Sequence, residues 1–185
     1  TAMPMLAAVS TVLMFFSFNV PLMPSFIKLD FSEIPAIITA YAFGPQYGIL
    51  VCLIKNLAHL PFTGSAGVGE LSNFILGAVF VGVAGLFYRR KKTRKSAFFG
   101  AAVGALAMAA ISVVTNYFVV YPAYVVLYNM PMNAIIGMYK AILPASDTLI
   151  KSLLIFNLPF TFVKGMIDTA VCFAVYKRIS PIIKK

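Results

Sequence analysis

The sequence predicts an all-α integral membrane protein, a six-transmembrane-helix bundle with N- and C-termini cytoplasmic. Three observations carry that expectation. Of 185 residues, 61% are hydrophobic and 11% charged, and the mean hydropathy of +0.93 lies far outside the range of soluble domains. The apolar stretches are cut by prolines, glycines and short polar links into helix-sized pieces. The cations are confined. Arg89, Arg90, Lys91, Lys92, Arg94 and Lys95 form one run, and Lys177, Arg178, Lys184 and Lys185 close the chain. These two segments hold ten of the fifteen cations and no acid, which accounts for the formal charge of +10. Lys28, Lys55, Lys140, Lys151 and Lys164 balance Asp30, Glu33, Glu70, Asp147 and Asp168. Short loops rich in Lys and Arg stay on the cytoplasmic side. A nucleic-acid binder would spread its basic residues over a soluble surface, so the expected partner is the lipid bilayer, with no nucleic acid.

The chain reads as a single membrane domain, 1–185. A first apolar helix covers about 2–18, opening without a basic region or clear cleavage site, so no cleavable signal is expected. An outer loop, 19–32, follows, with Pro21 and Pro24 breaking any helix. Ser32 is placed to cap a second helix, 33–43, with Glu33 in its first turn and Gly44-Pro45 as its stop. Eleven residues at 1.5 Å each give about 16 Å, roughly half the hydrocarbon thickness. A third helix covers 46–60 and ends at Pro61; read as one kinked helix, 32–60 would leave five spans and an outer N-terminus. After a flexible link at 63–67, a fourth helix, 68–88, runs into the cytoplasmic basic loop, 89–95. The fifth, about 97–120, carries Gly100-xxx-Gly104 with small residues beside it, a stripe for close helix packing. Residues 121–152 form an outer connection with a short interfacial helix, and 153–176 is the sixth span.

Direction along each helix turns sequence position into depth. Lys55, Asn56 and His59 fall near the outer end of the third helix; Glu70 and Asn73 fall at the same level of the fourth. Asn116 sits near the top of the fifth, and Thr161 and Lys164 share a face in the outer half of the sixth, with Asp168 a turn deeper. A charge at a helix centre costs about 2.5–3.5 kcal/mol on insertion scales, so such residues face a cavity or a partner. Internal ion pairs, Lys164 with Asp168 and Lys55 with Glu70, are one arrangement; a shared outward pocket is the other. Only the pocket explains why five segments contribute polar groups to one level. Amides, hydroxyls and one or two lysines suit an uncharged, partly aromatic ligand with several acceptors.

Other classes fit poorly. The single His59 has no Ser or Cys nucleophile arrangement beside it, and no H-E-x-x-H or other repeated metal spacing occurs, so no catalytic or metal residue is nominated. Cys52 and Cys172 read as small core residues. There is no detectable internal repeat, no ring of charge and no Gly-rich phosphate loop, so any ATP would be hydrolysed elsewhere.

Lys28-Leu-Asp-Phe-Ser-Glu-Ile-Pro35, Ala42-Phe-Gly-Pro45, Lys55-Asn-Leu-Ala-His59, Gly69-Glu-Leu-Ser-Asn-Phe74, Asn116-Tyr-Phe and Pro159-Phe-Thr-Phe-Val-Lys-Gly165 follow one another along the chain. In order and spacing they resemble the riboflavin-specific S component (RibU family) of energy-coupling factor (ECF) transporters. The resemblance implies a multi-pass protein of the bacterial cell membrane that binds riboflavin as transported ligand, with no cofactor. The implied partners are an ECF transmembrane coupling subunit and two ABC-type ATPases that supply the energy for uptake. Asn116 and Lys164 match positions that hydrogen-bond the flavin, and 19–32 matches the lid over the ligand. Where the family has Asn three residues before that lysine, this chain has Thr161. The substrate-binding candidates are Asn116, Lys164, Thr161, Asn56, Glu70 and Asn73, with Leu29 and Asp30 from the loop. Ala7-xxx-Thr11 stands where the family carries a small-residue pair for the coupling subunit. An S component for another vitamin, or a stand-alone small-molecule carrier, is the alternative.

Overall fold

The structure is a computed structural model that describes residues 2–21, 23 and 27–183, with side chains as far as 176. The expected break at Pro24 and the tail cations Lys184 and Lys185 lie outside the described residues, as do the side chains of Lys177 and Arg178. The described residues form seven helices: α1 Ala2–Phe15, α2 Glu33–Phe43, α3 Pro45–His59, α4 Val68–Arg90, α5 Arg94–Tyr128, α6 Met132–Ile142 and α7 149–183. Among the described residues, α4, α5 and the Leu149–Tyr176 part of α7 are long and apolar enough to cross a membrane. A two-stranded antiparallel ribbon follows α1; β1 (Phe18–Asn19) pairs with β2 (Lys28–Leu29), Phe18 opposite Leu29.

Glycines set the closest approaches. Gly44, at φ 118°, takes a backbone conformation that L side chains rarely adopt, and there the chain breaks between α2 and α3. Pro45 then opens α3, where its missing N–H costs nothing. On α5, a Cβ at Gly104 would lie 2.7 Å from the Phe80 carbonyl oxygen, and one at Gly100 would lie 2.5 Å from Phe87 Cβ. The small-residue stripe is therefore the α4–α5 contact within the bundle. α7 packs on the other side of α5, where Gly165 abuts Ala105 and Met108. The shared core contains Ile37, Val51, Phe80, Val81, Ala101 and Ala105, all completely buried.

Two helices extend beyond their expected limits for one reason. α5 continues past Val120 through a π turn, Asn116–Val120, to Tyr128, and α7 begins at Leu149 and passes through a second π turn, Leu153–Asn157. Pro122 and Pro159 each stand two residues past the end of a π turn. The wider i→i+5 turn shifts the hydrogen-bond ladder, so a proline without an N–H is accommodated instead of ending the helix. α6 packs through Ile135 and Tyr139 onto Tyr121 of α5 and Leu153 of α7, closing a second apolar cluster over one end of the bundle.

Candidate functional site

A cavity of about 390 Å³ lies at the end of the bundle where α4 begins. Its wall includes Glu70 of α4, twenty residues and so about 30 Å from Arg90 and the basic turn. Six of the eight candidates reach this wall: Asp30, Glu70, Asn73, Asn116, Thr161 and Lys164. The other two do not. Asn56 stands behind, with its Nδ2 donating to the Cys52 carbonyl (2.8 Å) and to Asn73 Oδ1 (3.3 Å). Leu29 is buried in β2, paired with Phe18.

Part of this wall belongs to a charge cluster that continues behind it. Lys55, fully buried on α3, donates from Nζ to Ser32 Oγ and to Glu33 Oε1 at 2.8 Å. Lys164 Nζ lies 3.2 Å from both Asp30 Oδ2 and Glu33 Oε2. The Ser32 hydroxyl and backbone N–H both donate to Asp30. Ser10 of α1 donates to the Ser32 carbonyl at 2.5 Å. Two lysines thus face two carboxylates, and the segment after β2 is stapled to α1, α3 and α7. Burial opposes the Asp30 charge, but Lys164, Lys55 and the Ser32 donors outweigh it and hold its pKa below the usual carboxylate range.

Two expectations are corrected here, and the ion pairs differ from those the sequence offered as one arrangement. Lys55 pairs with Glu33, not Glu70, and Lys164 with Asp30 and Glu33, not Asp168. The reason is helix rotation: α2 turns Glu33 inward, where the sequence suggested only a favourable first-turn charge. Ser32 makes no side-chain cap bond, since its hydroxyl serves the cluster. The 63–67 link, expected to be flexible, is organised by Glu70, which accepts from Thr63 Oγ1 (2.6 Å) and Ser65 Oγ (3.1 Å) and contacts His59 Nδ1 at 2.9 Å. Ala7 is 3% exposed and Thr11 Oγ1 donates to its carbonyl, so the α1 small-residue pair turns Ala7 into the bundle.

Among the further wall residues that sequence reading passed over are Glu33, Tyr121 and Asn157. Asn157 ends the second π turn as Asn116 begins the first, and both amides reach the cavity. Single π turns recur at functional sites. An isolated Asn two residues before a proline in an apolar run was the available signal. Asn157 Oδ1 accepts from the Tyr139 hydroxyl at 2.8 Å, and Tyr139 is also bonded to Tyr121, so α6 is locked to the wall. With Tyr121, Tyr124 and Phe160 beside them, these amides give the cavity flat apolar surfaces edged by hydrogen-bonding groups.

Residues 1–176 match the sequence pattern of the family described as ECF transporter, substrate-specific component. The chain belongs to the substrate-specific (S) components of ECF transporters. As an S component it is a multi-pass protein of the bacterial cell membrane and a substrate-binding part of a transporter. It is similar to the riboflavin transporter RibU of Staphylococcus aureus (strain TCH60), at 32% identity over 98% of this chain and 89% of that protein. The riboflavin transporter FmnP of Bacillus subtilis (strain 168) is 31% identical over 98% and 91%. A solved S component of a bacterial ECF transporter superposes with a TM-score of 0.77 at 31% identity, covering all of this chain and 96% of that one.

Proposed function

We propose that this S component is the riboflavin-specific one, a high-affinity binding subunit for vitamin uptake. One observation carries the reading: a single cavity gathers neutral amides, hydroxyls, aromatic rings and Lys164 from separate helices. Its volume falls within the roughly 300–1,000 Å³ of small-molecule sites, and the relatives named above are riboflavin transporters. Asn116, Asn157 and Thr161 pair with ring edges and ribityl hydroxyls, while Lys164 donates to a ring carbonyl. Glu70 and Asn73 face the polar tail, and the aromatic wall stacks on the isoalloxazine. Asn56 acts through Asn73. Leu29 and Asp30 hold the loop that covers the ligand. The bundle spans the membrane six times with both termini and the basic 89–95 segment cytoplasmic, which the cation distribution supports. A transmembrane coupling subunit and two ABC-type ATPases complete the transporter, since this chain has no phosphate-binding loop of its own.

Titration of the detergent-purified protein with riboflavin tests the reading. Stacking quenches the flavin emission stoichiometrically, and the protein purifies yellow. A preparation that leaves riboflavin fluorescence unchanged at micromolar concentrations overturns it. Uptake into vesicles holding this chain alone would favour a self-sufficient carrier over the partner-dependent component.

A further inference from the structure

We infer that Asp168 is a positioning residue for Lys164, the alternate partner that receives the ammonium when Asp30 gives it up. The inference rests on the riboflavin reading for its ligand, but its geometry does not depend on which ligand binds. Asp168 is 1% exposed, and neither carboxylate oxygen has a hydrogen-bond partner among the described residues. Buried carboxylates left without a partner are costly, and each in a native fold calls for an account.

Lys164 and Asp168 are four residues apart on α7, so their side chains share one face about one turn apart. The deeper position is out of the cavity wall, whereas Lys164 is in it. At present Lys164 Nζ is engaged by Asp30 Oδ2 and Glu33 Oε2, each at 3.2 Å. Glu33 is not a fresh partner, because it already holds Lys164 through Oε2 while Lys55 occupies Oε1 at 2.8 Å. A cation N-terminal to an acid is also the weaker orientation of a helical i,i+4 pair. The contact is therefore suited to being surrendered when Asp30 returns.

The consequence is kinetic. Any path that lets a ligand out past Asp30 must first separate Asp30 from Lys164. With Asp168 in place, the ammonium moves down one turn and stays paired, so separation is cheaper. Without that carboxyl group, the lysine is left to Glu33 alone. The two acids thus act on ligand exchange with opposite sign, Asp30 as the holding contact and Asp168 as the releasing one.

The experiment measures riboflavin release from the purified S component, followed as recovery of flavin fluorescence after displacement. Asp168→Asn slows release at least about tenfold, and Asp30→Asn speeds it by at least a similar factor, both below the full cost of breaking a buried charge pair. An unchanged or faster release in Asp168→Asn overturns the inference. A second measurement covers the case in which that variant does not fold. Dicyclohexylcarbodiimide, an apolar reagent for carboxyls in membrane interiors, is reacted with wild-type protein and with Asp30→Asn, and the adduct at Asp168 is quantified by peptide mass spectrometry. In Asp30→Asn the lysine rests on Asp168, and labelling there falls at least about fivefold. Equal labelling in the two proteins refutes the exchange. If wild-type protein fails to bind riboflavin, the ligand reading falls, and the carbodiimide comparison still decides this one.

Discussion

Replacing Lys55 by Met separates two views of the buried cluster, scaffold or ligand contact. Lys55 is fully buried and absent from the cavity wall, and it donates to Ser32 Oγ and, at 2.8 Å, to Glu33 Oε1. Removing one partner of a buried ion pair costs about 3–5 kcal/mol, because the other charge is left without compensation. Here Glu33 keeps Lys164 at 3.2 Å, and the methionine chain fills most of the lysine's volume. Both effects place the cost near the lower end, at about 3 kcal/mol. For a chain of this size each kcal/mol moves the midpoint by about 2–4 °C, so the expected fall is about 6–12 °C. The assay is thermal unfolding in detergent, read as loss of the monodisperse peak by size-exclusion chromatography. In the double variant Lys55→Met with Glu33→Gln neither member keeps an unmatched charge, and at least half of the loss returns. A single-variant shift below about 2 °C, or a double variant no better than the single, refutes the scaffold assignment.

Three other outcomes are expected. Lys164→Ala weakens riboflavin binding by about 1–3 kcal/mol, the loss for a buried hydrogen bond to a charged donor, and unchanged affinity on titration removes Lys164 from the site. Gly104→Val drives a side chain into the Phe80 carbonyl, 2.7 Å from the new Cβ, and destabilises the protein by at least about 1–3 kcal/mol, measured by the same thermal assay. Asp30 has a folded-state pKa below its unfolded value, so the stability it contributes is complete above the ordinary carboxylate pKa of about 3.9. That stability declines as pH falls through the lower, folded-state value. Wild-type protein therefore loses more stability on acidification through that window than Asp30→Asn does; parallel losses in the two proteins contradict the assignment.

Much of the site's level in the bundle was legible because a helix converts residue number into height. Asn116, Thr161, Lys164, Glu70 and Asn73 sit at matching heights by counting alone, and all five line one cavity. Pairing within that level was not legible. Glu33 looked like a first-turn helix charge, and nothing in its neighbours announced that α2 would rotate it onto Lys55 and Lys164. Ser32 carries every mark of a cap residue, yet its hydroxyl is taken by Lys55, 23 positions away, and by Asp30. Asn157 was hidden for a different reason: the π turn that aims it is a backbone irregularity, and Pro159 alone suggested only a disturbed start to the helix.

Composition and spacing by themselves determined that the chain lives in a bilayer, since apolar length and confined cations are one-dimensional quantities that water and lipid act on directly. The Gly-Pro break and the small-residue stripe were equally local, because each depends on backbone freedom or side-chain bulk at its own position. Only the tertiary structure decided which acid meets which lysine, which loop Glu70 organises, and that neither Asp168 oxygen has a hydrogen-bond partner among the described residues. Those outcomes depend on how each helix is turned about its own axis, an angle fixed by packing all seven together.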